Sequence, residues 1–301
     1  NSLYLEQAKK TIDLEQYIFT VDTIGRKFIE VIERKVREGV QVRIILDTVG
    51  SWSFYQSLVP NLLLKLGIQI KFFNEISPWR ITNFTSNFFR DHRKILVIDG
   101  AVGHIGGVGI QANMAAWRDT HMRVEGDVVT QMEMSFNIIW NTIGKSIFAR
   151  MKTRTAIPFI KNTSMVTNVP RSGQRLIYAE LIGTIRKAQK YIYLTTPYFI
   201  PDIKLFRVLR LAAKRGVDVR LIVPQFADHF FIDHARESYF TLALKAGIKI
   251  YRYKPVMMHA KTAVIDGTWA TAGSFNLDSL SFLFNHEVNI SSTDAHFIET
   301  I

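Results

Sequence analysis

Met258-His259-Ala260-Lys261-Thr262-Ala263-Val264-Ile265-Asp266-Gly267 has an earlier counterpart in the same chain, His92-Arg93-Lys94-Ile95-Leu96-Val97-Ile98-Asp99-Gly100. Each copy runs His, one spacer, Lys, four spacers, Asp, and matching residues stand 167 positions apart without a gap. The aliphatic and β-branched run after each Lys reads as a strand. Residues two apart on a strand share a face, so each copy sets an imidazole beside an ammonium at the start of a buried strand. Asp-Gly then reads as a tight hairpin turn. It leads into a second apolar run (residues 101–105 and 268–272) and a small-residue patch, Gly106-Gly107 and Gly273-Ser274. Small residues let a ligand or a second backbone come close.

Around both copies the chain alternates helix and strand patterns. Residues 1–12 read as helix, Gln16-Tyr17-Ile18-Phe19 as strand, 25–38 as an amphipathic helix and 39–47 as a buried strand. In the second half, residues 176–190 read as helix, 191–194 as strand, 203–215 as helix and 216–223 as strand. That order, given twice, predicts an α/β protein of two domains with mixed sheets. We place the first over residues 1–140 with motif 92–99, a connecting segment over 141–172, and the second over 173–301 with motif 259–266. A duplicated unit carrying half a site in each copy predicts a pseudo-two-fold pair with the active site at its interface.

Composition narrows the partners. The 301 residues contain no Cys, which excludes disulfides and thiolate-held metal centres. No run of about 18 apolar residues occurs, so no membrane-spanning helix is expected within the chain. The net charge of +12 points to a polyanionic partner, either anionic lipid or nucleic acid. The chain opens on Asn1 within a helical pattern, and the expectation is a fragment with further sequence upstream.

The halves differ before the first motif. Gly67 precedes His92 by 25 positions, whereas the matching Gly247 precedes His259 by 12. The extra residues fall within 75–90, an aromatic and basic stretch. Read functionally, Trp79, Phe84, Phe88 and Phe89 with Arg80 and Arg90 form a lip that enters a lipid interface.

Two His and two Lys suit phosphodiester chemistry. A neutral imidazole attacks phosphorus and forms a phosphohistidine. The second, protonated, donates to the leaving alkoxide and then deprotonates the incoming alcohol or water. Lys94 and Lys261 neutralise the non-bridging oxygens, assisted by the amide of Asn276 and the hydroxyl of Ser274. Each imidazole needs an orienting carboxylate. Asp119 lies 27 positions after His92 and Glu287 lies 28 after His259, in corresponding segments of the repeat. Asp99 and Asp266 complete the motifs at the turns, where bracing the fold is their expected part. No metal and no cofactor are needed, because the lysines supply the positive charge.

The doubled His-x-Lys-x4-Asp with Gly273-Ser274-Phe275-Asn276 resembles the signature of the phospholipase D superfamily, and the resemblance covers essentially the whole chain. Within it, the chain is most similar to the bacterial cardiolipin synthase group. The segments that carry this are Thr196-Pro197-Tyr198-Phe199-Ile200-Pro201-Asp202, Trp117-Arg118-Asp119-Thr120-His121, Asn276-Leu277-Asp278 and Asn285-His286-Glu287-Val288-Asn289. The resemblance implies two α/β/α sandwich lobes, a shared active site and a phosphatidyl-histidine intermediate. It also implies His92 as nucleophile and His259 as acid and base. The expected reaction moves a phosphatidyl group from phosphatidylglycerol to a second alcohol, making cardiolipin at a membrane surface, with the bacterial inner membrane as the implied location. Two departures stand out: Gly109 replaces an Asn common in the family, and Leu280-Ser281 replaces an Arg-Ser pair.

Three rival readings stand beside this one. With water as acceptor the same site is a phospholipase D hydrolase. On the same scaffold a nuclease would cut single-stranded DNA or RNA. A non-catalytic anionic-lipid binder would not need both motifs intact. Among the other histidines, His104 reads as a core residue, and His121 and His286 stand beside the presumed orienting acids. His229 and His234 read as a loop-to-helix junction that could line the pocket entry.

Overall fold

The computed structural model describes residues 2–75, 88–145, 157–158, 160–170, 174–228 and 230–301. The chain divides into two compact units: residues 1–115 with 122–160, and residues 116–121 with 161–301.

The first unit is built on strands β1 (Thr11–Gln16), β2 (Gln41–Asp47), β3 (Gln69–Phe73), β4 (Arg90–Asp91), β5 (Ile95–Ile98), β6 (Val102–Gly106) and β7 (His121–Glu125). Six of them form a sheet in the order β3-β2-β1-β5-β6-β7. Pairing is parallel among β1, β2 and β3, and antiparallel from β1 through β5 to β6. The helix Thr23–Arg37 follows the predicted amphipathic stretch, with Phe28, Val31 and Ile32 buried in the core on one face of the sheet. Asp22 caps it, accepting from the N–H of Ile24 and Gly25. Ile45 and Phe73 pack with Phe136, Ile139 and Trp140 of the helix Asp127–Thr142 in a separate cluster.

The second unit uses β8 (Thr163–Asn168), β9 (Tyr191–Thr195), β10 (Phe199–Ile200), β11 (Asp218–Pro224), β12 (Lys249–Tyr253), β13 (Thr262–Ile265), β14 (Trp269–Gly273), β15 (Leu277–Asp278) and β16 (Asn285–Ser292). The run β12-β11-β9-β13-β14-β16 continues to β8, which pairs antiparallel with β16. Again three parallel strands, β9, β11 and β12, adjoin an antiparallel pair, β13 and β14. The motif strands β5 and β13 therefore occupy the same place, beside the central strand of their unit. Helices Leu176–Lys187 and Ile203–Lys214 supply most of the remaining core through Leu181, Ile185, Leu205 and Leu209.

Three expectations are corrected here. The helix at the start ends at Leu5, and residues 11–16 form β1, so the strand lies earlier than Gln16–Phe19 suggested. Its pattern was disguised by Asp13 and Glu15, both buried. Asp13 is held by Arg43 at 2.6 and 2.7 Å, and Glu15 pairs with Arg93. A buried carboxylate is tolerated only when paired. Within the expected connection 141–172, residues 163–168 form β8. Finally, Arg90 is not a membrane-facing cation. It is buried, and its guanidinium donates to Asp47 at 3.2 Å and to the carbonyl of Asn74 at 3.3 Å. Phe88 is exposed, while Trp79, Arg80 and Phe84 lie outside the described residues.

Gly273 ends β14 where no side chain fits: a Cβ would stand 2.2 Å from the carbonyl oxygen of Val288 and 2.3 Å from Asn289 Oδ1. Gly273→Ala is expected to destabilise by about 1–3 kcal/mol, the range for an overpacked core. Gly183, in a helix with open space around it, gives the contrasting case. Gly183→Ala is expected to gain about 0.5–1 kcal/mol. Urea unfolding of the two variants beside the parent checks both signs.

Candidate active site

In the second unit, His259 precedes β13 and is buried. Its backbone N–H donates to the carbonyl of Arg118 at 2.7 Å, and the N–H of Arg118 donates to the carbonyl of Met257 at 2.8 Å. That short parallel bridge brings residues 116–121 against the motif and sets Asp119 beside the imidazole. Asp119 Oδ2 lies 2.7 Å from His259 Nδ1. A carboxylate on Nδ1 is the arrangement that fixes the orientation of an imidazole and which of its nitrogens carries the proton.

Lys261 lies two residues on, on the same side of the strand as the alternation requires. Its Nζ stands 2.9 Å from His259 Nδ1 and 3.1 Å from Nε2, and it also donates to the carbonyl of His259. Burial pulls the Lys261 ammonium down to about 8, against the opposing pull of Asp119, Glu287, Asp228 and Asp278. Asp119 is itself buried, which pushes its carboxyl up. Lys261 and the His259 hydrogen bond outweigh this and hold it below the usual carboxylate range. Trp117 and Tyr198 wall the imidazole, with ring centroids 5.2 and 6.4 Å away. The Tyr198 hydroxyl donates to Asp228 at 2.6 Å.

The Lys261 shift carries a prediction. In the reaction proposed below turnover needs the Lys261 ammonium, so it should fall as pH passes about 8. Stability moves the other way. The unfolded lysine keeps its proton to the ordinary 10.5, so the unfolded chain binds more protons between about 8 and 10.5. Folding stability contributed by this group therefore rises with pH across that window. A kcat profile and urea titrations at the same pH values should diverge in sign.

In the first unit His92 is half-buried. Lys94 is buried and its Nζ donates to the His92 carbonyl at 2.7 Å. Tyr17 meets the imidazole edge-on at 4.9 Å between centroids, and Lys94 Nζ lies 5.3 Å from the centre of the Tyr17 ring.

The aspartates that close the motifs do matched work at the turns. Asp99 (φ 55°) accepts from the backbone N–H of Lys9, Lys10 and Thr11 at 2.9, 2.7 and 2.9 Å. Asp266 (φ 56°) accepts from Gln189, Lys190 and Tyr191 at 2.7, 2.8 and 2.9 Å. Partial burial pushes both carboxyls up, but the three donors prevail and both titrate below the ordinary range. Each ties its hairpin turn to the start of the neighbouring strand.

Glu287, on β16, is fully buried. It accepts from Ser274 Oγ at 2.5 Å, Ser281 Oγ at 2.7 Å and Asn285 Nδ2 at 3.2 Å. The Ser274 hydroxyl thus donates to Glu287 here, and the backbone N–H of Val288 donates to it at 3.0 Å. Asn276 is buried, and among the described residues its Oδ1 has no hydrogen-bond partner. Sequence spacing offered one acid after each histidine; the structure instead joins Asp119, from the first half of the sequence, to His259 of the second. Linear spacing carries no sign of that exchange. In the sequence Trp117 and Tyr198 stand out only as parts of family-like segments, and Tyr17 and Asp228 give no signal of their own.

The two departures from the family pattern have local accounts. A Cβ at Gly109 would stand 2.8 Å from Met114 Sδ and 3.2 Å from Ile18 Cβ, so a larger residue here requires the Met114 side chain and Ile18 to shift. Leu280 is 61% exposed, while Ser281 keeps its bond to Glu287. His104 is a core residue as read: it is buried against Tyr4, with centroids 4.3 Å apart, and burial followed by Arg123 lowers it to about 4. His121 starts β7 and His286 lies on β16. His229 and the side chain of His234 lie outside the described residues.

The chain is 38% identical over 296 residues to the cardiolipin synthase of Listeria monocytogenes serotype 4b (strain CLIP80459), covering 95% of this chain and 61% of that protein. It is 37% identical over 295 residues to the cardiolipin synthase of Oceanobacillus iheyensis, covering 95% of this chain and 60% of that protein. This chain therefore spans about three fifths of the length of those relatives. In fold it is similar to the phosphatidylserine synthase of Haemophilus influenzae Rd KW20, with a TM-score of 0.76 at 15% identity, over 98% of this chain and 79% of that one. The family model described as cardiolipin synthase, PLD-like domain, matches residues 3–140 and 181–301. With a phospholipase D-like domain in each half, the chain belongs to that family.

Proposed function

We infer that the chain is the catalytic part of a phosphatidyltransferase that makes cardiolipin from phosphatidylglycerol. The observation that carries this is the His259 cluster: an imidazole held at Nδ1 by Asp119 and backed by Lys261, in a chain with a second intact His-Lys pair.

The reaction divides into two displacements. His92 attacks the phosphorus of one phosphatidylglycerol; a phosphorus–nitrogen bond forms and the bond to the head-group glycerol breaks. The His259 imidazolium gives the departing oxygen its proton, so glycerol leaves neutral. A hydroxyl of a second phosphatidylglycerol then loses its proton to His259 and attacks phosphorus. The bond to His92 breaks, and cardiolipin is released with both histidines restored. Asp119 stabilises the imidazolium form of His259, opposing the nearby Lys261 ammonium, which disfavours it. Lys94 and Lys261 offset charge on the non-bridging oxygens. The residues supply nucleophile, acid, base and cationic stabilisation themselves. Asp99 and Asp266 hold the motif strands in place rather than touching substrate, and Ser274 and Ser281 set the carboxylate of Glu287.

The substrate is anionic lipid, which suits the net charge of +12, and work at a membrane surface follows from it. Among the described residues no helix is long and apolar enough to cross a membrane. Mass spectrometry of phosphatidylglycerol vesicles incubated with the protein tests the reading. Cardiolipin and glycerol are expected. Phosphatidic acid and glycerol would make it a hydrolase, and cleavage of a single-stranded oligonucleotide without lipid product would replace the reading altogether.

A further inference from the structure

The second unit carries a cavity of about 950 Å³ whose lining differs in character from the His259 site. It opens where the helices Leu176–Lys187 and Ile203–Lys214 pack together, with Tyr239 from the helix Phe230–Lys245 on its wall. Helical spacing places Lys204, Arg207, Val208, Leu211 and Arg215 along one side of the second helix. Arg186, from the last turn of the first helix, faces the same space. Four cations thus meet one carboxylate, Asp202.

That carboxylate is already committed. Its two oxygens accept from the Tyr178 hydroxyl at 2.8 and 2.7 Å, and Oδ1 also accepts from the N–H of Leu205 as the helix cap. Arg215 is partly committed too: Nη2 donates to the carbonyls of Ile185, Arg186 and Ala188, each at 3.3 Å, fixing the end of the first helix beside the second. Lys204 Nζ lies 5.5 Å from the Tyr178 ring centre. No described carboxylate pairs with Arg186, Lys204 or Arg207, and all three are exposed. Three unneutralised cations around one concave space repel each other, an arrangement that an anion relieves.

The rim is apolar. Ile203 is 89% exposed and Leu211 is 42% exposed. Ser279 lines the cavity, and Leu280 next to it is 61% exposed. Apolar side chains standing around a basic hollow match a bilayer surface, where phosphate lies just above the acyl chains. A soluble anion would gain nothing from that rim.

We propose that this hollow is a second, non-catalytic docking site for the phosphate head group of an anionic phospholipid in a bilayer. Arg186, Lys204 and Arg207 hold the phosphate, and Ile203, Leu211 and Leu280 enter the interface. Docking of this kind is independent of the transferase reading, because it concerns attachment and not turnover. It would keep the chain on the bilayer between catalytic events.

Co-sedimentation of the full chain with phosphatidylcholine vesicles, with and without phosphatidylglycerol, tests it. The chain R186Q/K204Q/R207Q is expected to lose about a hundredfold in partitioning onto the phosphatidylglycerol vesicles. A charge-matched control, K65Q/K161Q/K245Q, removes three exposed lysines that do not line the hollow and is expected to lose no more than about threefold. I203S/L211S should leave binding that added salt abolishes, where the parent retains a salt-resistant part. Equal losses in the two triple variants would overturn the site, as would parent-like binding by R186Q/K204Q/R207Q. So would thermal stabilisation of the parent by inorganic phosphate without vesicle binding. Turnover of a soluble short-chain phosphodiester should be unchanged in all three variants. This shows that they are folded, and it reports separately on the catalytic reading.

Discussion

His92→Ala should lower turnover by at least about 10⁴-fold, the scale seen when a nucleophile that acts as part of a unit is removed. The fold should survive. Lys94 bonds to the backbone carbonyl of residue 92, which alanine keeps, while alanine gives up the edge-on packing of the imidazole with Tyr17. The companion variant His259→Asn removes the base of the second step and leaves the nucleophile in place. It should accumulate the phosphatidyl adduct, seen as a mass increase on the peptide containing His92. An adduct on the His259 peptide of the His92→Ala protein would reverse the assignment of the two roles.

Asp119→Asn should lower kcat by about 10²–10⁴-fold, as expected when an imidazole loses the group that fixes its tautomer and charge. It should also move the pH profile. Asp119 is the largest influence holding the Lys261 ammonium up against burial. Without that charge Lys261 loses its proton more readily, and the fall in turnover should begin below about 8 instead of above it. Breaking a buried charge pair also lowers stability, by about 3–5 kcal/mol. Loss of stability alone reduces the active fraction without shifting the limb, so the displaced profile separates positioning from a purely structural part. An unchanged limb would remove Asp119 from the chemistry. The pairing is local to the second unit, although Asp119 lies in the first half of the sequence.

How far the sequence reads correctly depends on whether the determining interaction is local. The two motifs, the strands that follow them and the hairpin turns were legible because alternation, β-branched content and Asp-Gly act over a few residues. Asp99 and Asp266 are legible as braces for the same reason: their position at a turn already limits what their carboxylates can reach. Strand β1 was misplaced because Asp13 and Glu15 give it the look of a polar surface. Arg43 and Arg93, distant in sequence, make those carboxylates acceptable inside. Arg90 was misread as a lip cation because nothing near it in sequence announces Asp47.

The sequence by itself determined the duplication, the α/β class and the residue types of the chemistry, since these rest on patterns within short windows. Only the tertiary structure decided which acid serves His259, that Ser274 and Ser281 belong to Glu287, and that Arg186 of one helix joins Lys204 and Arg207 of another around one hollow. Those are through-space pairings of charge and hydrogen bonds. Their energies depend on distance and burial, and neither is encoded in separation along the chain.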